Sequence, residues 1–464
     1  MKKYLHNDKK LKIYITKILL LIGITSERTK NISKQIILAS FFKCGSIIAN
    51  FMLVPLTINY LDTTNYGLWL TITSFIGWFA FFDIGIGNGL RNKFAEAKAK
   101  NDLHLARSYI STAYFYISLI CITLTILIFI IINFVDWTMI FNTKPNLQKD
   151  LIILMYIVIG FFSLNLVFKL ILTIYIADQK SSIDGLIQFI IQISSLITLW
   201  IITKITHSSL LLFGSIISGI PVLTLIILTI LSFNKRYHKV RPNIKLVNSN
   251  HVKEIFGVGI SFFIIQISCI ILYATDNMII THLYGPENVT PYNIAYKYFS
   301  IAFMIFNIVL APYWSGITDA FVKEDFKWIK ISMNNLVKFS LLFIIVTLFM
   351  LIISQFSYNF WVGNKVEVPI LLSIFMCIYF CIIIFMQPFV FFINGVGKIR
   401  IQLIFSVLTA LINIPLAIFF AKYLNLGVSG IILSTIFCSI PGIIYVPLQY
   451  NKIINRNAKG IWNK

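Results

Sequence analysis

The chain has 464 residues, of which 58% are hydrophobic, 15% aromatic and only 12% charged, with a formal net charge of +22. That charged fraction is about half that of ordinary soluble domains, and the apolar residues fall in runs of about 20, the length that crosses a bilayer. A soluble enzyme or a basic nucleic-acid-binding domain is therefore excluded, and an all-α polytopic membrane protein is expected.

Residues 1–35 read as a cytoplasmic or interfacial segment. Their longest apolar run, "ILLLIGI", is followed by "TSERTK" with no small-residue cleavage site, so no cleaved signal is expected. Lys9, Lys10, Lys12 and Lys17 set against Leu11, Ile15, Ile18 and Leu19 suit a helix lying in the membrane surface, or a disordered basic tail. Twelve apolar spans follow, at 36–58, 67–90, 109–133, 151–176, 183–203, 209–233, 255–280, 293–317, 335–358, 369–393, 399–421 and 427–449. They predict an N-lobe over 36–233, a basic cytoplasmic linker over 234–254, a C-lobe over 255–449 and a basic cytoplasmic tail over 450–464.

Lysine and arginine set the orientation. The N-terminal tail, 91–107, Lys180, 235–253, 323–330, 398–400 and the C-terminal tail together hold 30 of them. The alternate breaks hold five: Lys144, Lys149, Lys204, Lys365 and Lys422. Both termini are expected in the cytoplasm. Trp69, Trp137, Trp200 and Trp361 fall at expected outer ends, as an aromatic belt would.

The two halves match in several places. "SFFKCGS" and "SFFIIQI" open spans 1 and 7, and "NYLDTTNYG" and "HLYGPENVTPYN" follow at equivalent points. "AEAKAKNDL" aligns with "TDAFVKEDF" at an offset of 223. Asp184, Gln188, Gln192 and Ser195 stripe span 5; Gln402, Ser406, Thr409 and Asn413 stripe span 11. Two six-helix lobes follow. Because six is even, they share one orientation and are related by a pseudo-two-fold axis along the membrane normal, enclosing a path.

The stretch "DIGIGNGLRNKFAEAKAKND", residues 83–102, carries Gly85, Gly87 and Gly89. A dinucleotide fingerprint needs GxGxxG after a short strand. Here the spacing is GxGxG and the preceding run is a long aromatic span, so the glycines read as close-contact or unwinding points at a membrane helix end. "RNKFAEAKAKND" continues as an amphipathic elbow, with Glu96 and Lys100 spaced to pair.

This stretch, with "LYGPENVTPYNIAYKYF" and "NGVGKIRIQL", resembles bacterial polysaccharide flippases, the O-antigen and capsule oligosaccharide-lipid translocases of the multidrug/oligosaccharidyl-lipid/polysaccharide (MOP) exporter superfamily. The resemblance covers the whole chain. It implies a MATE-like fold in the bacterial inner membrane and alternating-access transfer of an undecaprenyl-pyrophosphate-linked repeat unit for O-antigen or capsular polysaccharide. It also implies a proton or sodium gradient as the drive, no cofactor and no catalytic group. Implied partners are the lipid-linked oligosaccharide, membrane lipids, and a polysaccharide polymerase and chain-length regulator, with no nucleic acid.

Charges within spans cost about 3 kcal/mol even on the lenient insertion scale, so they face a cavity or a partner. Lys43, Asp83 and Lys169 lie at similar depth near the cytoplasmic ends of spans 1, 2 and 4. Asp276 and Lys297 lie near the outer ends of spans 7 and 8. One reading is a wet, net-cationic lumen that screens a pyrophosphate, with Lys43, Lys169, Lys297 and Asp83 along the path and Asp276, near Gln266, Tyr273 and Asn277, coupling an ion. The other is snorkelling lysines, an Asp83–Lys43 pair and an Asp276–Lys297 salt bridge. Pro55, Pro312 and Pro388 are candidate bending points. The six cysteines have no metal-ligand spacing, and Cys377 and Cys381 pack as small apolar groups.

An ion-coupled multidrug exporter is the main alternative, and would want an anionic path. A membrane polymerase would need a catalytic outer loop larger than 134–150. A non-transporting scaffold leaves the buried charges unexplained.

Overall fold

The computed structural model describes residues 27–79, 86–178, 180–256 and 275–463, and all its regular elements there are helices. α1 (Glu27–Leu61) runs through Pro55 and stops at Asp62, whose φ of 73° breaks the helix and whose carboxylate caps α2 (Thr63–Gly77) through the Asn65 N–H. α3 (Ile86–Ala99) is the polar elbow and leads into α4 (Leu103–Ile132). α5 (Gln148–Ala177), α6 (Ser181–Ile205) and α7 (Leu210–Asn234) follow. A linker ends in the short α8 (Ser249–Phe256). After helical residues 275–284 come α9 (Val289–Val322), α10 (Phe326–Ile352) and the short α11 (Ser354–Val362). α12 (Ile370–Val396), α13 (Arg400–Ile418) and α14 (Val428–Ile454) complete the chain.

Ten helices among the described residues are long and apolar enough to cross a membrane. The other two expected spans include residues 80–85 and 257–274, outside the described residues, as is the surface helix expected at 9–24. Ile126, Ile130, Ile345 and Leu411, on three of the long helices, are more than half exposed, as lipid-facing side chains must be. α1 packs on α6, and α5 on α4 and α7; α12 packs on α9, α10 and α14, and α14 on α13.

The alternation of helices puts the basic breaks at one end, the basic end, and the sparsely charged breaks at the other. The aligned elbows at the basic end are the same turn built twice. Asp102 N–H donates to Ala97 O and Asp325 N–H to Ala320 O, after Asn101 and Glu324 with φ of 57° each. Each aspartate then caps the next helix, accepting from Leu105 or Trp328 N–H. All four positions keep the offset of 223.

One expectation needs correction. Trp69 and Trp137 are 6% and 4% exposed, and Trp137 donates its indole N–H to Ile132 O. They are core residues of the first group of helices, while Trp200, 56% exposed, is the one suited to a belt. Of the glycines of 83–102, Gly89 makes the expected close contact. Gly85 lies outside the described residues, but a Cβ on Gly89 would sit 2.0 Å from Ile255 O, so this glycine admits α8 against α3. In the elbow, Lys100 donates to Glu96 at 2.8 Å, as its spacing predicts, and holds the Glu96 carboxyl below its ordinary range together with Lys93.

Candidate substrate path

The two groups of helices meet at the end away from the basic face. The segments "NYLDTTNYG" and "HLYGPENVTPYN", aligned in sequence, touch each other there. Thr290 donates to Thr63 O at 2.7 Å, and a Cβ on Gly67 would lie 1.8 Å from Pro286 O. Deeper along the same seam, Thr71 and Thr281 hydroxyls share a buried 2.6 Å hydrogen bond, and Asn142 donates to Thr281 O. Asn277 donates to Ser74 at 2.8 Å and accepts from Asn293 at the same distance. At its flank Trp361 of α11 stacks on Phe51 of α1, ring centroids 3.5 Å apart, and donates to Phe51 O. Lys365 donates to Asn59.

Lys297 belongs to this seam. Half-buried on α9, it donates to the Tyr66 hydroxyl at 3.1 Å and lies 5.8 Å from the centre of that ring. It crosses from one group of helices to the other instead of pairing with Asp276. Asp276 is 5% exposed and accepts a 2.5 Å hydrogen bond from Tyr292 on Oδ2, while Oδ1 has no partner among the described residues. A buried carboxylate with one oxygen unsatisfied is costly, and such sites are where a proton or cation is held. On α13, Asn413 donates to Ser434 and Thr435, and its Oδ1 too has no partner among the described residues. Gln266 and Tyr273, read as companions of Asp276, lie outside the described residues.

Two of the lysines expected along the path lie toward the basic end. Lys43 on α1 and Lys169 on α5 are both exposed. Asp184, half-buried, is carried by α6, which packs against both α1 and α5. Three chain-distant charges therefore share one region, with a net positive balance. Asp83 lies outside the described residues. Asp184 was visible in sequence only as the first residue of the span 5 stripe; its spacing with Gln188 and Gln192 carried no hint of the two lysines, which come from other helices.

The basic end is tied within the first group. The Asp178 side chain, 5% exposed, pairs with Lys98, Lys180 and Arg236 and accepts from Tyr237. The linker lies along α4 as a strap: Arg107 donates to Arg241 O, Ser108 to Leu246 O, and the N–H groups of Asn243 and Asn248 to Ser111 and Thr112. Tyr109 closes it with a 2.6 Å hydrogen bond to Glu254, which holds that carboxyl below its ordinary range.

The comparisons with known proteins agree with this architecture. The family described as polysaccharide biosynthesis protein matches residues 32–318. A candidate O-antigen transporter of Salmonella typhimurium is 23% identical over 415 residues, covering 87% of this chain and 93% of that protein. A candidate O-antigen export protein of Yersinia pseudotuberculosis is 22% identical, covering 76% and 81%. An inward-facing multidrug resistance MATE family transporter of the MOP superfamily superposes with a TM-score of 0.71 at 14% identity, covering 91% of this chain and all of that one. A MOP superfamily transporter from Pyrococcus furiosus, whose binding pocket is described as reversed in polarity, gives 0.67 at 15% identity, covering 92% and 97%. The chain is a multi-pass membrane protein that belongs to the polysaccharide biosynthesis protein family, folded as the MATE transporters of the MOP superfamily are.

Proposed function

We propose that this protein is a flippase that moves undecaprenyl-pyrophosphate-linked oligosaccharide repeat units from the cytoplasmic to the outer face of the inner membrane, for O-antigen or capsular polysaccharide. The basic end is the cytoplasmic one, by the lysine and arginine distribution, and both termini lie there. The groups formed by residues 36–233 and 255–449 act as two lobes that rock about the path between them. The observation that carries the reading is the asymmetry of the seam: sealed at the opposite end by Gly67–Pro286, Thr71–Thr281 and Lys297–Tyr66, with Lys43 and Lys169 exposed on the basic side of that seal.

Moving a bare pyrophosphate through the apolar slab would cost tens of kcal/mol by Born solvation. A wet vestibule with two ammonium groups removes most of that cost, and Asp184 keeps them from binding the cargo too tightly to release. Opening the opposite end breaks the Lys297–Tyr66 contact and offers Lys297 to the departing group. Asp276 couples the cycle to a proton or sodium gradient, because its open oxygen gains a partner when either binds. A polymerase and a chain-length regulator would receive the product.

Loss of the protein tests the reading. Lipid-linked repeat units should accumulate on the cytoplasmic face and surface polysaccharide should disappear. Normal polysaccharide with lost drug resistance would replace the flippase with an exporter.

A further inference from the structure

Two cavities adjoin at the opposite end and share His282 and Leu283. One, of about 550 Å³, is polar and cationic, with His282, Lys422 and Asn425 in its wall. The other, of about 390 Å³, is lined by Met139, Ile140, Met278 and Ile418 and is almost wholly apolar. It straddles the seam: Met139 and Ile140 come from the turn between α4 and α5, and Met278 and Ile418 from the second group.

The polar cavity rests on irregular backbone that the fold itself does not require. α13 ends in a π-helical turn, Phe419–Tyr423, that carries Lys422. Such turns are rare and cluster at functional sites. Three contacts hold it. Tyr284 donates to Ala421 O at 2.7 Å, and the Gly427 N–H reaches the same oxygen. A Cβ on Gly430 would lie 2.6 Å from Ala421 N, so only glycine lets α14 come this close. The loop then turns through Asn425 and Gly427 at φ of 53° and 57°. Lys422 is moreover one of only five lysine or arginine residues on this side of the chain, where orientation disfavours positive charge. Of the nearby acids, Asp136 is engaged in capping, accepting from Thr138 and Met139 N–H.

We propose that the joined cavities form a binding site for an anionic membrane phospholipid, its phosphate held by Lys422 and His282 and a hydrocarbon chain lying in the Met139–Met278–Ile418 groove. A cation with a polar rim takes the headgroup phosphate, and the adjoining apolar groove takes a chain that would otherwise leave those side chains facing water or loose lipid. A free phosphate would have no use for the groove. Because the groove is made from both sides of the seam, the lipid binds the sealed arrangement better than a parted one and favours it. The site stands whatever the cargo is.

The test places p-benzoylphenylalanine at Leu283, the wall common to both cavities, in full-length protein reconstituted in phosphatidylcholine vesicles containing a minority of phosphatidylglycerol. Photo-adducts are identified by mass. Phosphatidylglycerol should be enriched about tenfold over its share of the vesicle, since each surface cation favours an anionic lipid several-fold. The double variant His282→Gln, Lys422→Gln should return the ratio to that of the vesicle with the melting temperature unchanged, because Lys422 and His282 are exposed. Adducts at the bulk ratio in the parent protein, or enrichment that survives the double variant, overturns the proposal. Enrichment abolished by millimolar glycerol phosphate identifies a free-anion site and overturns it as well.

Discussion

Gly67 of α2 faces the carbonyl of Pro286 so closely that a methyl group at Gly67 would lie 1.8 Å from the oxygen. The contact is backbone on backbone, so neither side can turn away. Gly67→Ala should therefore oppose the sealed seam by about 1–3 kcal/mol, the range of overpacking penalties. Ser74, which receives the Asn277 hydrogen bond behind that contact, reports the change. A Ser74→Cys reporter should react with a membrane-impermeant maleimide about tenfold faster in the Gly67→Ala background. Gly77→Ala, which meets nothing within 4 Å, is the control. Equal labelling in all three backgrounds would show that this contact does not control the seam.

Lys43 and Lys169 are expected to act as point charges. Lys43→Ala and Lys169→Ala should each lower export about fivefold, as loss of about 1 kcal/mol per cation predicts. Arginine should retain part of the activity and glutamate should be worst. Export is measured per membrane-inserted protein. Alanine variants that export normally, or losses that track protein level alone, would end the cationic-vestibule reading.

Asp276→Asn keeps size and hydrogen bonding but removes the charge. It should abolish gradient-driven transport and leave cargo binding intact. Tyr292→Phe removes the donor to a buried carboxylate and should cost about 1–3 kcal/mol of stability, read as a fall in melting temperature. Gradient-driven transport at the parental rate in Asp276→Asn would leave this carboxylate a structural role only.

Asp178 is the shared partner of three cations at the basic end. Asp178→Asn should destabilise the protein by about 1–2 kcal/mol, less than a fully buried pair because Lys98 and Arg236 are each 48% exposed. The loss should be larger at low ionic strength than at high. A melting temperature that does not move at either salt concentration would show the node to be dispensable.

The strap has a pH dependence of defined sign. Glu254 is held below its ordinary value of 4.5, first by the Tyr109 hydroxyl. Its contribution is therefore fully present above that value and is lost as pH falls through the lower folded-state value. Hydrogen exchange of the 243–248 amides should be flat between neutral pH and about pH 5, after correction for intrinsic rates, and should quicken only below. Quickening above pH 5 would assign the strap to another group.

How much of this was readable in sequence depended on range. Ten of the expected spans and the Glu96–Lys100 pair follow from local spacing and are present among the described residues. The offset of 223 located a repeated turn because a left-handed residue followed by a capping aspartate is written in five or six consecutive residues. Trp69 and Trp137 were misread because a tryptophan at a span end looks the same whether it faces lipid or Phe213, which Trp69 meets edge-on at 5.2 Å. The Lys297–Tyr66 and Tyr292–Asp276 bonds join residues 231 and 16 positions apart. No periodicity encodes such pairs; they exist only once the helices are packed.

The strap on α4 also changes what kind of joint connects the two groups of helices. A free linker of about 20 residues would let its ends wander about 2.5 nm apart, by about 5–6 Å times the square root of its length. Here that slack is taken up on one partner, from Arg241 to Glu254. The covalent tie to the second group thus leaves from a fixed point at the end of α8, against Gly89. On the side of the first group, therefore, the linker adds no slack of its own to the joint. The first group carries its end of the joint as a fitted part, like a hinge leaf already fixed to its post.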